Sequence, residues 1–310
     1  MKRINILLIS LVLLFFTSCN NEGTGDGNSE NGKLIVVSTT TMVTDLLFQI
    51  GGDKIELNGL MGPGVDPHLY KASEGDVTRL FNADLIFYNG IHLEGKMTDL
   101  FEKIGARGKK TFAISSAIPE GKLILIGNQG GHYDPHIWFS VDNWKLTAGY
   151  VTDVLVDNDS INAGFYHQNL LRYLSELDGL GNYVQTRVDG IPGPKRVLIT
   201  AHDAFEYFGR EYGFEVIGLQ GISTVSEAGA ADVKNLAEFI FERKIPAVFI
   251  ESSVSKRNIE ALIAAVHSRG FDVKTGGELF SDALGSSGTP EETYTGMYKH
   301  NIDVISDALK

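Results

Sequence analysis

From Lys33 onward the chain alternates short apolar runs with stretches whose apolar residues recur at helical spacing. Residues 34–37 form an apolar run of strand length. Val43, Leu46, Leu47 and Ile50 then fall at i, i+3, i+4, i+7, one face of a helix, and Gly51 is placed to end it. Further strands are predicted at 55–61 and 85–88, with a helix around 76–81 between them and weaker strand signals at 111–114 and 123–126. The second half repeats this grammar. Strands at 197–200, 215–219, 247–250 and 271–275 alternate with helices over 204–212, around Val233 to Ile240, and around Ile259 to Val266. Thr289, Pro290 and Glu292 supply an N-cap, a first-turn proline and a capping-box acid for a last helix. Strands alternating with helices imply parallel sheets covered by helices on both faces.

Between the halves, 161–188 carries apolar positions Leu170, Tyr173, Leu174, Leu177 and Val184 that suit a helix, weakened by Gly179 and Gly181. Pro192 and Pro194, among glycines, break the pattern after it. The expected fold is therefore α/β: two lobes with mainly parallel sheets, joined by one long helix.

Composition narrows the function classes. The 310 residues are 43% hydrophobic and 21% charged, enough to bury a substantial core. A net charge of -12 argues against a nucleic-acid partner, because phosphate contacts need a basic surface. Cys19 is the only cysteine, which excludes an intramolecular disulfide, a cysteine-rich zinc site and a CxxC redox centre. Lys2 and Arg3, followed by a mostly apolar run of about 13 residues from Ile4 to Phe16, read as an export signal too short to span a bilayer. Phe16-Thr17-Ser18-Cys19 resembles a bacterial lipoprotein cleavage box, with lipid on Cys19. Residues 20–32 are polar and glycine-rich, a flexible tether.

Asp-Pro-His occurs twice, at Asp66-Pro67-His68 and Asp134-Pro135-His136. A third histidine stands in Thr200-Ala201-His202-Asp203 and a carboxylate in Phe280-Ser281-Asp282. Each follows a strand-like run, and ligands in open α/β sheets gather outside the carboxyl ends of strands. Two such loops fall in each half, so the four side chains can converge between the lobes. Three imidazoles and a carboxylate suit zinc and related ions, and the carboxylate also suits manganese. Asp66 and Asp134 read equally well as partners of the imidazoles and as turn residues before proline. Asp282 also reads as a helix N-cap. His92 reads as structural or supporting, His132 as a weak site of transient metal contact, and His167, His267 and His300 as uninvolved. Glu251, at the end of a strand, reads as a packing or hydrogen-bonding residue. Phe205, Tyr207 and Phe208 read as lobe packing.

The chain resembles the metal-binding proteins of bacterial ABC importers for zinc and manganese, the TroA-like and ZnuA-like cluster. The matching segments are VDPHLYKASEGDV (65–77), NGIHLEGKM (89–97), DPHIWFSVDNW (134–144), residues 200–232 and residues 246–262. The resemblance implies two pseudo-symmetric lobes with the metal site in the cleft between them, His68, His136, His202 and Asp282 as ligands, and no catalysis. It divides the chain into a signal peptide (1–18), tether (19–32), N-terminal lobe (33–160), linking helix (161–190) and C-terminal lobe (191–310). It further implies a monomer outside the cytoplasm, anchored by lipid to a membrane, that carries Zn2+ or Mn2+ to an ABC permease. Many zinc members carry a long His- and acid-rich loop before the second ligand; here residues 121–134 hold only His132. Manganese-specific relatives often carry Glu where this chain has His202, which tilts the expectation toward zinc or dual specificity. The rival classes are a metal-dependent hydrolase, against which the absence of an HExxH motif weighs, and an adhesin-type surface lipoprotein.

Overall fold

The computed structural model describes residues 32–127 and 131–310. The export signal, Cys19 and most of the tether lie outside the described residues. The N-terminal lobe is built on four parallel strands, β1 (Leu34–Ser38), β2 (Ile55–Gly59), β3 (Leu85–Tyr88) and β4 (Lys110–Ala113), in the order β2-β1-β3-β4. Helices α1 (Thr41–Gly51), α2 (Glu74–Asn82) and α3 (Thr98–Ala106) follow β1, β2 and β3. The starts of α1 and α2 are written in the sequence. The Thr40 side chain accepts from Val43 N, and Ser73 with Asp76 completes a capping box.

A two-residue antiparallel hairpin, β5 (Leu125–Ile126) with β6 (His132–Tyr133), stands apart from the main sheet. Two long helices come next, α4 (Val141–Asn158) and α5 (Ala163–Asp189). Helix α5 runs unbroken through Gly179 and Gly181. Its inward positions Tyr166, Tyr173, Leu177, Leu180, Val184 and Val188 are all buried, and tertiary packing outweighs the low helix propensity of glycine.

The C-terminal lobe pairs β7 (Val197–His202) with β8 (Glu215–Gln220) and β9 (Ala247–Glu251) with β10 (Lys274–Leu279), all parallel, with β7 packed beside β9. Helices α6 (Glu206–Tyr212), α7 (Ala230–Arg243), α8 (Arg257–His267) and α9 (Tyr294–Leu309) complete it. The alternation read from the sequence thus holds in both lobes, with corrections. Residues 123–126 give a two-residue hairpin strand rather than a strand of the main sheet. The last strand begins three residues later than expected, because its close neighbours require glycine. A Cβ at Gly276 would stand 2.5 Å from the Phe249 ring, and one at Gly277, whose φ is 136°, would stand 2.6 Å from Val304. The Thr289-Pro290 signal opens only a 3-10 turn (Pro290–Glu292). Helix α9 starts at Tyr294, capped by Thr293, whose hydroxyl accepts from Gly296 N.

Among the described residues, three apolar clusters hold this together. One lies under α2 and α3 on one face of the N-terminal sheet, including Val37, Leu80, Ile86 and Ile104. A second lies under α7 and α8 on one face of the C-terminal strands, including Ile199, Leu236, Val248 and Leu262. The third is the largest and runs through both lobes. It joins α1, α4 and α5 to α6 and α9 around fully buried Trp138, Trp144, Tyr173, Phe205 and Tyr298. Truncating any one of these large side chains to alanine would cost about 3–5 kcal/mol. No described helix is long and apolar enough to cross a membrane.

Candidate metal centre

Four side chains meet between the lobes, His202 from the carboxyl end of β7 and His68, His136 and Asp282 from irregular segments. The two Asp-Pro-His segments fold alike at the backbone. Asp66 Oδ1 accepts from His68 N at 2.9 Å, and Asp134 Oδ1 accepts from His136 N at 2.8 Å. A short acceptor side chain two residues before each histidine closes a turn, and the intervening proline fixes φ. The motifs then diverge. Asp134 also takes the His136 ring, Oδ1 to Nδ1 at 2.7 Å, whereas the second oxygen of Asp66 accepts from the Thr224 hydroxyl at 2.6 Å. Asp134 therefore orients an imidazole; Asp66 shapes a turn and ties it to the other lobe.

His202 ends β7, and Glu251 ends the neighbouring β9. Glu251 is buried and accepts twice from His202, from its backbone N at 2.9 Å and from ring Nδ1 at 2.5 Å. Asp282 follows β10 in an irregular segment, with no helix after it, so it is not a helix N-cap. That segment is held in place on both sides. Asn301 of α9 accepts from Phe280 N and donates to Phe280 O, Trp138 Nε1 donates to Ser281 O, and Thr41 Oγ1 accepts from Leu284 N.

The structure brings His68, His136, His202 and Asp282 together. All four are buried, and their nearest nitrogens and oxygens lie within 4.8 Å of one another. His136 Nε2 stands 3.3 Å from both His68 Nε2 and His202 Nε2. Asp282 approaches His202 at 3.2 Å, His136 at 3.5 Å and His68 at 3.7 Å. These separations, 3.2–3.7 Å, are close to what two donor atoms on one zinc ion keep when each bond is about 2.0–2.2 Å long.

The proton arrangement also calls for a cation. With Nδ1 of His136 and His202 donating to Asp134 and Glu251, Nε2 of each ring is left to face the cluster, where coordination of an ion needs it free of a proton. Both Asp282 oxygens are buried without a hydrogen-bond donor, an arrangement that is costly unless a cation or proton supplies the missing partner. Burial, the largest influence on His68, drives its pKa down to about 3, so it stays neutral. Burial likewise opposes protonation of His202, but Glu251 and Asp282 together outweigh it and raise its pKa well above the ordinary value. For Asp282 burial works upward, yet His202 first, then His136 and His68, hold it well below the usual carboxylate range.

Other histidines behave as the sequence suggests. His267 is engaged with Val273 O and Asp272, and His300 with Glu278 O and Glu291; His167 is exposed. His92 and His132 are exposed and adjacent, their ring centroids 5.8 Å apart, outside the buried cluster. Gly90, Ile91 and His92 have φ of 87°, 52° and 60°, three consecutive left-handed residues. Buried Glu94 secures this strained turn by accepting from Thr39 Oγ1, Asn89 N and Gly90 N. Asn89 in turn donates to Pro135 O, so the NGIHLE segment braces the loop of His136. Tyr207 does more than pack, since its hydroxyl donates to Asp134 O. A cavity of about 920 Å3 lies elsewhere, lined among others by Leu34, Asp84, Arg107 and Lys110 near the opposite ends of β1, β3 and β4.

Comparison with known proteins agrees with this picture. Residues 36–308 match the family model described as ZnuA, zinc-uptake complex component A, periplasmic. The chain is 44% identical over 294 residues to the manganese-binding lipoprotein MntA of Bacillus subtilis, covering 95% of each chain. It is 49% identical over 280 residues to the zinc-binding protein TroA of Treponema pallidum, covering 90% of each. The solved structure of that TroA superposes with a TM-score of 0.86, over 90% of this chain and 99% of its own.

Proposed function

Because this chain belongs to the ZnuA family of zinc-uptake components, we propose that it is an extracytoplasmic binding protein that captures a divalent ion, Zn2+ or Mn2+, and hands it to an ABC importer in the membrane. His68, His136 and His202 give Nε2 and Asp282 gives oxygen to the ion. The observation that carries this reading is the buried cluster of three imidazoles and one carboxylate, whose donor atoms all lie within 4.8 Å of one another. Nitrogen-rich ligation favours zinc over manganese, and the second oxygen of Asp282 lets the shell expand for manganese.

Four protein ligands leave no open corner for a reacting water, and the neighbouring carboxylates Asp134 and Glu251 are committed to imidazoles rather than free to act as a base. The protein is therefore a carrier and not a hydrolase. Lipid on Cys19 and the tether behind it keep the carrier at the membrane where the permease sits, and it works as a monomer. The relatives' names, one of them a lipoprotein, support this placement. Protein purified without added metal and then titrated is expected to take up one ion per chain. His68→Ala should weaken binding by orders of magnitude, and His267→Ala should leave it unchanged. Wild-type affinity in His68→Ala would overturn the ligand assignment.

A further inference from the structure

The lobes are fastened to each other on the side of the linking helix. The largest core is continuous across them, and hydrogen bonds reinforce it: Tyr294 OH donates to Trp138 O, Tyr298 OH to Phe139 O, and Tyr294 N to Asp45. An ion enclosed by buried ligands must leave by movement of the loops that carry them. Residues 60–73, which hold His68, have no regular strand or helix. One carboxylate ties this loop across the cleft. Asp66 Oδ1 accepts from the backbone N of His68, and Asp66 Oδ2 accepts from Thr224 Oγ1 at 2.6 Å, a contact between residues 158 positions apart. Thr224 is only 7% exposed, so water competes poorly for its hydroxyl. The loop that bears it is itself pinned, Gln220 donating to Ser226 O, and Gln220 pairs with His202 in the β7–β8 register. The contacts thus run from one ligand to another, from His68 through Asp66 to Thr224, along the loop to Ser226, and through Gln220 to His202.

We propose that Thr224 is the latch of the metal site, a positioning residue whose hydroxyl holds the His68 loop closed on the ion and sets how slowly the ion leaves. This rests on the metal-capture reading above. Opening the latch frees the turn that fixes His68 and lets one of four ligands swing away, while His136, His202 and Asp282 stay braced by Asp134, Glu251 and Asn301. A hydrogen bond to a charged group contributes about 1.5 kcal/mol or more, which corresponds to roughly a tenfold change in rate.

The test is stopped-flow release of Zn2+ or Mn2+ from the full chain into excess chelator, comparing wild type, Thr224→Val and Thr224→Ser. Thr224→Val keeps the shape and removes the hydroxyl; it should release the ion about tenfold faster, with an unslowed association rate. Thr224→Ser should restore near wild-type release, and the chelator-treated Thr224→Val protein should still unfold in one cooperative transition, its midpoint lowered by a few degrees through loss of the one hydrogen bond. Wild-type release from Thr224→Val, or release from Thr224→Ser as fast as from Thr224→Val, would each overturn the latch while leaving the metal site standing. A wild-type chain that binds neither ion would overturn the metal reading itself, and the latch with it.

Discussion

Glu251→Gln removes one charge from a buried side chain without changing its size, and the structure says what that does to His202. Glu251 uses one oxygen for the backbone N–H of His202 and the other for Nδ1–H. Glutamine has a single oxygen. If that oxygen stays on the backbone N–H, the amide NH2 faces Nδ1 and is satisfied only by the tautomer with its proton on Nε2, the atom that must face the ion. If the amide turns over, its NH2 meets the backbone N–H and a buried donor goes unpaired, at about 1–3 kcal/mol. Either arrangement opposes metal binding, and loss of such an imidazole partner commonly lowers metal affinity 10- to 100-fold, about 1.4–2.7 kcal/mol. Competition against a chelating indicator at fixed pH measures this directly. A dissociation constant for Glu251→Gln within threefold of wild type would refute the claim that Glu251 sets the tautomer of His202.

Two further outcomes follow from titrating groups. In the metal-free protein the raised pKa of His202 keeps its Nε2 protonated at neutral pH, so an incoming ion displaces that proton. Affinity should fall with acidity already from neutral pH, above the point at which an ordinary imidazole titrates, with about one proton released per ion at pH 7; calorimetric heats that do not vary with the buffer's ionisation enthalpy would contradict this. Asp45, far from the ligands in sequence, is pushed up by burial from 3.8 to about 6. Its proton is held more tightly folded than unfolded, so its stabilising contribution is complete below about pH 4 and lost as pH rises through about 6. Asp45→Asn, which keeps an acceptor for Tyr294 N, should then raise stability by about 1–3 kcal/mol at pH 8 and by little at pH 4; urea unfolding with chelator present, showing destabilisation at pH 8, would refute it.

Much of this architecture is legible in the sequence because its signals are local. Apolar runs and helical spacing mark most strands and helices, and the repeated Asp-Pro-His after strand-like runs marks two of the four residues that meet in the cleft. The failures have physical causes. Helix α4 escapes notice because its inward face is mixed in residue type: Asn143, Thr147 and Thr152 are buried there beside Trp144, Ala148, Val151 and Leu155. Thr147 and Thr152 donate their hydroxyls to carbonyls of their own helix and so pack as apolar residues. The glycines of β10 carry no apolar pattern, since their value lies in letting Phe249 and Val304 come close. Thr224 and the double role of Glu251 depend on contacts 158 and 49 positions away, which no local spacing encodes. Only the placement of Glu251, a charged residue ending the apolar strand β9, gives a hint that it faces a site.

The central claim is that one ion sits where three Nε2 atoms and Asp282 converge. Anomalous diffraction from crystals of zinc-loaded protein, recorded on both sides of the zinc absorption edge, tests it most directly. The account predicts one strong peak per chain, about 2.0–2.2 Å from Nε2 of His68, His136 and His202 and from an oxygen of Asp282. A peak elsewhere, or one at this position lacking any of the three imidazoles, would contradict it.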